Sequence, residues 1–477
     1  MVTLVALLVL ASPGALEPDL PPADAPNVEA APPPADVPRA DEPLPLAPPR
    51  PRPTELPRGR SFVVPAIEAL FVDFALASFN NLVSREPFAQ ISLDSIRVNL
   101  PLSAWELDSD YFLTNQFGHP YQGALAFTAA RSAGLSFWWS TLYPFVTSLA
   151  WELFFEVDKP SVNDHITTTV GGALLGEALF RLSMLVVRSG LPKWAREVFS
   201  FLLAPPAWVN DALFDEQFAA GDLPRVPFYR GWLGGGIVVQ SQAARLGAFI
   251  TARVIHGSPY EEVGAPFSHF DIAADLSIDR TQVVGDFTVR GLLWGRAYRL
   301  GLLRGVAGLF GSYEYVAPRL FRASSVNLGG GSLGALALTA QTSLELTAIV
   351  SAIPFGAGGV VAPSEVVGSR DYHVGPGVHL EGEVSLTNER FGFVSLGVRR
   401  WNLFGGFYTQ PAGHDAITYA HLNAFVRVGR EAVAGLELVR ALRDTRSDGV
   451  DLNQALTQIR LVVCWLFSGE LGIVAHR

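Results

Sequence analysis

The chain has 477 residues, of which 49% are apolar and only 17% are charged. This composition suits lipid contact or deep burial, and the length allows two domains. A formal net charge of −10 argues against a nucleic-acid partner, which would need a basic surface. The single cysteine, Cys464, excludes a disulfide framework and a cysteine-based metal site.

Residues 1–15 form an apolar run followed by small residues, which predicts an export signal. Residues 16–60 consist mainly of Pro, Ala and acidic residues. Such a segment cannot bury enough apolar surface to offset its ordering entropy, so we expect a disordered linker.

Residues 61–220 are predicted to form a helical domain. They contain three apolar stretches of helical length, Ser61–Val83, Leu135–Phe155 and Ile166–Val187. Charged residues, prolines and glycines interrupt these stretches. We therefore expect helices that pack on one another at the periplasmic mouth or membrane surface, and not three independent spans.

The third stretch carries two local signals. Ser161 and Asp164 give an S-x-x-D start, which predicts a helix N-cap. Glu177 and Arg181 lie one helical turn apart and are expected to pair.

A stripe of small residues, Thr168, Gly172 and Gly176, recurs at every fourth position of the same stretch. Such a stripe lets another helix approach closely. The expected partner is the aromatic stretch Leu135–Phe155.

From about residue 230 to 477, apolar and polar residues alternate, as where Asp271 and Asp275 interleave with Ile272 and Leu276. A period of two predicts strands with one apolar and one wet face. The pattern indicates roughly ten to twelve strands. The clearest cover 245–256, 285–294, 342–351, 391–401, 418–428 and 456–467.

The expected fold is therefore α+β: an N-terminal helical domain followed by an antiparallel membrane β-barrel. Behind an export signal, such a barrel belongs in the outer membrane of a Gram-negative bacterium, with the linker and helical domain in the periplasm. A soluble periplasmic binding module with inward apolar faces gives the same alternation and remains an alternative.

Polar residues gather within four segments of the helical domain: NQFGHPYQG, AARS, SLAWELFFE and PSVNDHITTTVGGALLGE. Through these, residues 95–200 resemble the uncharacterised bacterial domain-of-unknown-function family 3943. The resemblance implies an envelope protein with a strand-rich C-terminal part and no established activity. The order of His119, Glu152 and Asp164 before a Gly-rich helix is also similar to that in small VanZ-like membrane domains.

His119, Glu152 and Asp164 are the candidate catalytic residues, because a buried carboxylate pair beside an imidazole suits acid–base chemistry. The candidate binding residues are Asp108, Asp110, Asn115, Arg131 and Glu156. Turn formation and helix capping explain several of these side chains equally well. No metal-ligand spacing is present, so neither a metal nor a cofactor is expected.

Two functional hypotheses follow. The first is a non-enzymatic outer-membrane barrel with a helical plug or docking domain, in an envelope structural or transport role. The second is a membrane-associated enzyme that acts on an envelope lipid or glycolipid. The expected partners are membrane lipid and either a periplasmic protein or a small-molecule ligand; the sequence leaves the oligomeric state open.

Overall fold

The computed structural model describes residues 59–107, 112–214, 218, 229–241, 245–258, 265–277, 284–318, 320–360, 372–405, 413–447 and 450–467. The predicted signal segment 1–15 and nearly all of the 16–60 linker lie outside these ranges. So do Asp108 and Asp110.

Nine α-helices lie among the described residues before the strands. They are α1 (Val63–Phe79), α2 (Leu93–Asn99), α3 (His119–Ser132), α4 (Phe137–Ser140), α5 (Leu142–Phe154), α6 (Val162–Ile166), α7 (Gly172–Val187), α8 (Lys193–Leu203) and α9 (Pro205–Phe214). A π-helical turn continues α1 through Asn80–Ser84, and another, Thr167–Gly171, joins α6 to α7. The predicted N-cap is confirmed, since the Ser161 side chain accepts a hydrogen bond from the Asp164 backbone N–H at the start of α6.

Twelve described strands form a closed antiparallel barrel, which confirms the predicted fold class. They are β1 (Tyr229–Gln240), β2 (Arg245–His256), β3 (Phe270–Ser277), β4 (Val284–Leu300), β5 (Leu303–Val316), β6 (Phe321–Ala337), β7 (Thr342–Val360), β8 (Tyr372–Asn388), β9 (Gly392–Phe404), β10 (Gly413–Arg427), β11 (Ala432–Ser447) and β12 (Val450–Leu466). Each strand pairs with its sequence neighbours, and β1 closes the barrel on β12. We call the rim where β1 begins and β12 ends the terminal rim, and the other the opposite rim.

Ion pairs between strands that are not neighbours identify the face that points into the lumen. Arg253 on β2 reaches Glu383 on β8, with 3.4 Å between nitrogen and oxygen, and Arg460 on β12 reaches Asp275 on β3 at 2.6 Å. These groups can meet only inside the barrel. Because side chains alternate along a strand, the residues next to these lumen-facing ones face outward.

The outward face is apolar around the barrel wall. On seven adjacent strands, one aliphatic residue per strand is paired in register with the next, and each is 37–54% exposed. This exposed row comprises Leu346, Val384, Leu396, Leu422, Leu438, Ile459 and Val239. Such a surface is typical of a barrel wall in contact with lipid.

The helices cover part of the remaining outer wall. Outward-facing Ile272, Phe287 and Tyr313 are buried, and they belong to one apolar cluster with Phe127 and Leu174 of the helices. The described helices pack on this outer wall because it offers an apolar surface, while the barrel's own side chains bridge the lumen. The predicted plug or docking role stays a prediction.

The helices run along the height of the wall. At the opposite rim, the Asn115 side chain donates a hydrogen bond to the Tyr372 hydroxyl at 2.9 Å. At the terminal rim, Arg181 donates to the Pro266 carbonyl at 2.8 Å, and Phe137 stacks on Phe267. The layer formed by α1, α3, α5 and α7 therefore extends from one rim towards the other.

The small-residue stripe packs on α3, so the predicted partner, the aromatic stretch Leu135–Phe155, is wrong. A Cβ added to Gly123 of α3 would lie 1.9 Å from the Thr168 carbonyl oxygen, and one added to Gly176 would lie 2.9 Å from the Phe127 side chain. Gly123 supplies the matching small residue that close approach requires on both helices.

Candidate functional site

The three candidate catalytic side chains converge on the segment 160–164. His119 is the first residue of α3, and its Nε2 lies 3.8 Å from Asp164 Oδ2; these side chains are 12% and 4% exposed. Glu152, near the end of α5, accepts a hydrogen bond from the Ser161 backbone N–H at 2.7 Å. The residues are brought together, and their catalytic role stays a prediction.

The convergence follows from how α6 begins. The Ser161 side chain caps α6, and the Glu152 carboxylate holds the backbone of the same residue. The Asn163 side chain donates to Asp164 Oδ1 at 2.9 Å, which orients that carboxylate so that Oδ2 faces His119. At 3.8 Å the imidazole and carboxylate are close enough to interact electrostatically but beyond a hydrogen bond. If His119 Nε2 and Asp164 Oδ2 came within hydrogen-bond distance, the two side chains would form an acid–base pair.

Glu156, a candidate binding residue, lies beside this cluster. Its Oε2 accepts a hydrogen bond from the Trp151 indole at 3.2 Å. Burial, together with the neighbouring Glu152 carboxylate, holds the pKa of Glu156 well above its usual range. A protonated Glu156 would relieve the repulsion between two carboxylates one turn apart.

Arg131 and Asn115 do not join this cluster through the contacts described. Arg131 lies at the other end of α3, roughly 18 Å from His119 at 1.5 Å per residue. Its Nε donates to Glu177 Oε2 at 2.6 Å, and Arg181 Nε donates to Glu177 Oε1 at 2.8 Å. The predicted Glu177–Arg181 pair is confirmed, and Arg131 extends it into a buried triad.

A second polar site, which sequence reasoning did not nominate, lies in the lumen. It is a network of arginine–carboxylate pairs, some between neighbouring strands and others across the barrel interior. The pairs are Arg253 with Asp271 and Glu383, Arg290 with Asp271 and Glu381, Arg399 with Asp286 and Glu314, and Arg460 with Asp275 and Glu437. The polar face of the alternation carries these residues in the sequence, but it does not say which strands meet across the barrel.

The network surrounds a cavity of about 130 Å³. Three arginines and six carboxylates line it among the described residues: Arg253, Arg290, Arg399, Asp271, Asp275, Asp286, Glu381, Glu383 and Glu437. Arg460 pairs with two of those carboxylates, which gives four guanidinium groups against six acids. A further cavity of about 80 Å³ lies towards the terminal rim, where Arg230 pairs with Glu345.

Towards the opposite rim the lumen is filled by apolar side chains. Trp401, Leu403 and Ile417 are at most 1% exposed and pack in one cluster with Phe321. The Trp401 indole donates to Ser325 at 3.1 Å, so its polar atom is satisfied. A buried ion pair lies among these apolar side chains, with Arg443 Nη2 2.8 Å from Asp415 Oδ2.

Among the described residues, no group of three His, Cys, Asp or Glu side chains is arranged to hold a metal ion. Cys464 is buried in the barrel wall beside Val462 and Leu466, as expected of a thiol acting as a small apolar group.

Comparison with solved structures finds porins and related channels at low similarity. The KdgM porin is 10% identical with a TM-score of 0.23, covering 49% of this chain and 98% of that one. The NanC porin is 9% identical with a TM-score of 0.25, covering 49% of this chain and 98% of that one. The outer membrane protein OprD from Pseudomonas aeruginosa is 11% identical with a TM-score of 0.20, covering 53% of this chain and 95% of that one. TM-scores this low carry no argument about function.

Comparison with curated proteins finds no match. Residues 104–206 match the model of a family described as Domain of unknown function (DUF3943). This segment includes α3 to α8 and all three candidate catalytic residues. The resemblance predicted from the sequence is thereby confirmed.

Proposed function

We propose that the protein is an outer-membrane barrel whose lumen passes small polar solutes under the control of cross-lumen ion pairs. In this proposal residues 230–477 form the barrel, and the helical domain of residues 61–220 is docked on its wall. The exposed apolar row on the outer wall supports the membrane placement. The charged cavity of about 130 Å³ carries the proposal for the lumen.

The charged lining supports a solute role over a purely structural one. Burying arginine–carboxylate pairs costs desolvation energy, and apolar side chains of similar volume often stabilise a protein equally well. The barrel uses such apolar filling around Trp401 near the opposite rim. Among the described residues, four arginines and six carboxylates are concentrated around the cavity, whereas a single arginine–carboxylate pair, Asp415 with Arg443, lies among the apolar groups near Trp401. Contact with a polar solute accounts for this concentration of charge at the cavity.

The cross-lumen pairs act as the gate in this proposal. Arg253 bridges β2 to β8 through Glu383, so a solute can pass only when this pair opens. Arg253 also holds Asp271 of neighbouring β3, which gives it a partner in the open state. The excess of carboxylates in the cavity wall favours cations over anions.

Electrical recording in planar lipid bilayers tests the proposal. The wild-type barrel is expected to open rarely, and Glu383→Gln to open more often, because it removes one bridge while Arg253 keeps Asp271. Glu106→Gln is the matched control, since its exposed pair with Lys159 lies in the helical region. If neither the wild type nor Glu383→Gln conducts ions, the transport role fails and a structural role replaces it.

A second function, lipid-directed catalysis, is favoured by the convergence of His119, Glu152 and Asp164 on one segment. His119→Ala and Asp164→Asn would then change the lipid A or phospholipid profile of the outer membrane, measured by mass spectrometry. His165→Ala is the control, because this neighbouring imidazole contacts Ser148 instead. Unchanged lipid profiles in a correctly folded His119→Ala protein would exclude this function.

A further inference from the structure

We infer that the helical layer lies within the bilayer beside the barrel, with its outer face against lipid acyl chains. This inference rests on the proposed outer-membrane placement of the barrel. It replaces the periplasmic position expected for the helical domain from the sequence. Four features of the described residues carry it.

The first feature is that α1 exposes its large apolar residues and buries small and polar ones. Its buried positions are Pro65, Ala69, Asp73 and Ala77, a face of small and polar residues. Its exposed positions are apolar and, apart from Ala75, large; Phe71, for example, is 67% exposed. A water-soluble helix buries its apolar stripe, whereas α1 presents that stripe outward.

The outer surfaces of the neighbouring helices extend this apolar face. Exposed large apolar residues continue on α4 and α5. They are Trp138, Trp139, Leu142, Phe145 and Val146. The ring of Phe62, which precedes α1, lies 5.7 Å from that of Trp139 on α4. Contiguous apolar surface on this scale marks a surface that is covered by a partner or by a membrane.

The second feature is continuity with the barrel wall. The layer covers outward-facing residues such as Phe287 and Tyr313, while the row through Leu396 and Leu422 stays exposed on the uncovered side. Hydrogen-bonded strands carry both surfaces around one closed wall. If lipid surrounds the exposed row, it also meets the outer face of the helices docked on the same wall.

The third feature is length and direction. The segments Val63–Ser84 and Val162–Val187 are long and apolar enough to cross a membrane. At 1.5 Å per residue, the first, with 22 residues, extends about 33 Å, close to the roughly 30 Å of a bilayer's hydrocarbon core. The layer also runs from rim to rim, as a membrane-embedded layer must.

The fourth feature is where the polar groups lie. Asp73 is 2% exposed and accepts a hydrogen bond from the Gln122 side chain at 3.0 Å. The triad of Arg131, Glu177 and Arg181 lies between α3 and α7. Charged groups within a bilayer are expected to face protein and to be paired, as the triad is, and Asp73 likewise faces protein.

The exposed tryptophans fit the same placement. Trp138 and Trp139 follow Phe137, which stacks on Phe267 at the terminal rim, and Trp465 is exposed near the same rim on β12. Tryptophan side chains concentrate at the headgroup level of membranes. Helical layer and barrel thus share one interfacial level.

Depth-dependent fluorescence quenching tests the inference in the full chain. In a Cys464→Ser background, single cysteines replace Phe71 and Val146 on the helices, Leu396 on the exposed row, and Arg430 in the β10–β11 turn. Each variant is labelled with bimane and reconstituted into phosphatidylcholine vesicles with or without brominated acyl chains. Heat-modifiable gel migration identifies the folded protein, and two helix positions guard against one variant failing to fold.

Quenching at Phe71→Cys and Val146→Cys equal to that at Leu396→Cys, with Arg430→Cys unquenched, is the expected result. Helix positions that match Arg430→Cys while Leu396→Cys is quenched would overturn the inference and leave the membrane barrel standing. Absence of quenching at Leu396→Cys would overturn the barrel's membrane placement, and the inference with it.

Discussion

Replacing Glu177 by Gln gives the sharpest test of what holds the helical layer together. The carboxylate is fully buried between Arg131 Nε at 2.6 Å and Arg181 Nε at 2.8 Å. Gln keeps the shape but removes the charge, so two buried guanidinium groups lose their anionic partner. Breaking a buried pair costs about 3–5 kcal/mol. That corresponds to a shift of roughly 10²–10⁴-fold in the unfolding equilibrium of the layer.

The chain supplies a matched control in another i,i+4 pair. Lys193 and Glu197 lie 3.7 Å apart on α8, with both side chains more than half exposed. Glu197→Gln should therefore cost at most about 1 kcal/mol. The helical band of the far-UV circular dichroism reports the layer during denaturation in detergent micelles. If the two variants lose similar stability, the triad does not hold the layer and this reasoning is refuted.

Three further outcomes are expected. Gly123→Ala should weaken the packing of α3 on α7 and speed proteolysis of the helical region, because the new Cβ would lie 1.9 Å from the Thr168 carbonyl oxygen. Gly190→Ala is the control: its Cβ would have no atom within 4 Å, so the rate of proteolysis should not change. Burial and a neighbouring carboxylate raise the pKa of Glu156, so ionisation of this side chain opposes folding. Glu156→Gln should therefore raise the Tm above neutral pH, and this increase in Tm should disappear as the pH falls towards 4.5. An equal effect at both pH values would contradict that assignment. Cys464 should react with maleimide only after unfolding, and rapid labelling of the folded protein would argue against its burial.

The strands could be predicted because alternation is a local property. The segment predicted at 245–256 coincides with β2, and that at 391–401 lies almost entirely within β9. The predicted limits of 285–294 and 342–351 were too short, because bulges in β4 and β7 shift the register and break the simple period. Alternation predicts a strand only up to a bulge, because the extra residue there exchanges the inward-facing and outward-facing positions.

The placement of the helices could not be predicted in the same way. Outward-facing Ile272 on β3 is covered by helices, whereas Leu396 on β9 is exposed, and both follow the same alternating pattern. The sequence of a strand shows that one of its faces is apolar, but it does not show which element of the fold covers that face. The candidate site had a stronger local signal, because the cap at Ser161 fixes the segment that holds Asp164. The cross-lumen pairs depend on strand tilt and closure, which a single strand does not encode.

The order of elements along the chain has a consequence for biogenesis. The helices precede in sequence the strands β3 to β8, against whose outer wall they pack. Until those strands have closed, the buried apolar residues of the helices have no barrel wall to pack against. The topology therefore implies that the C-terminal barrel assembles first and the N-terminal helices anneal to it last.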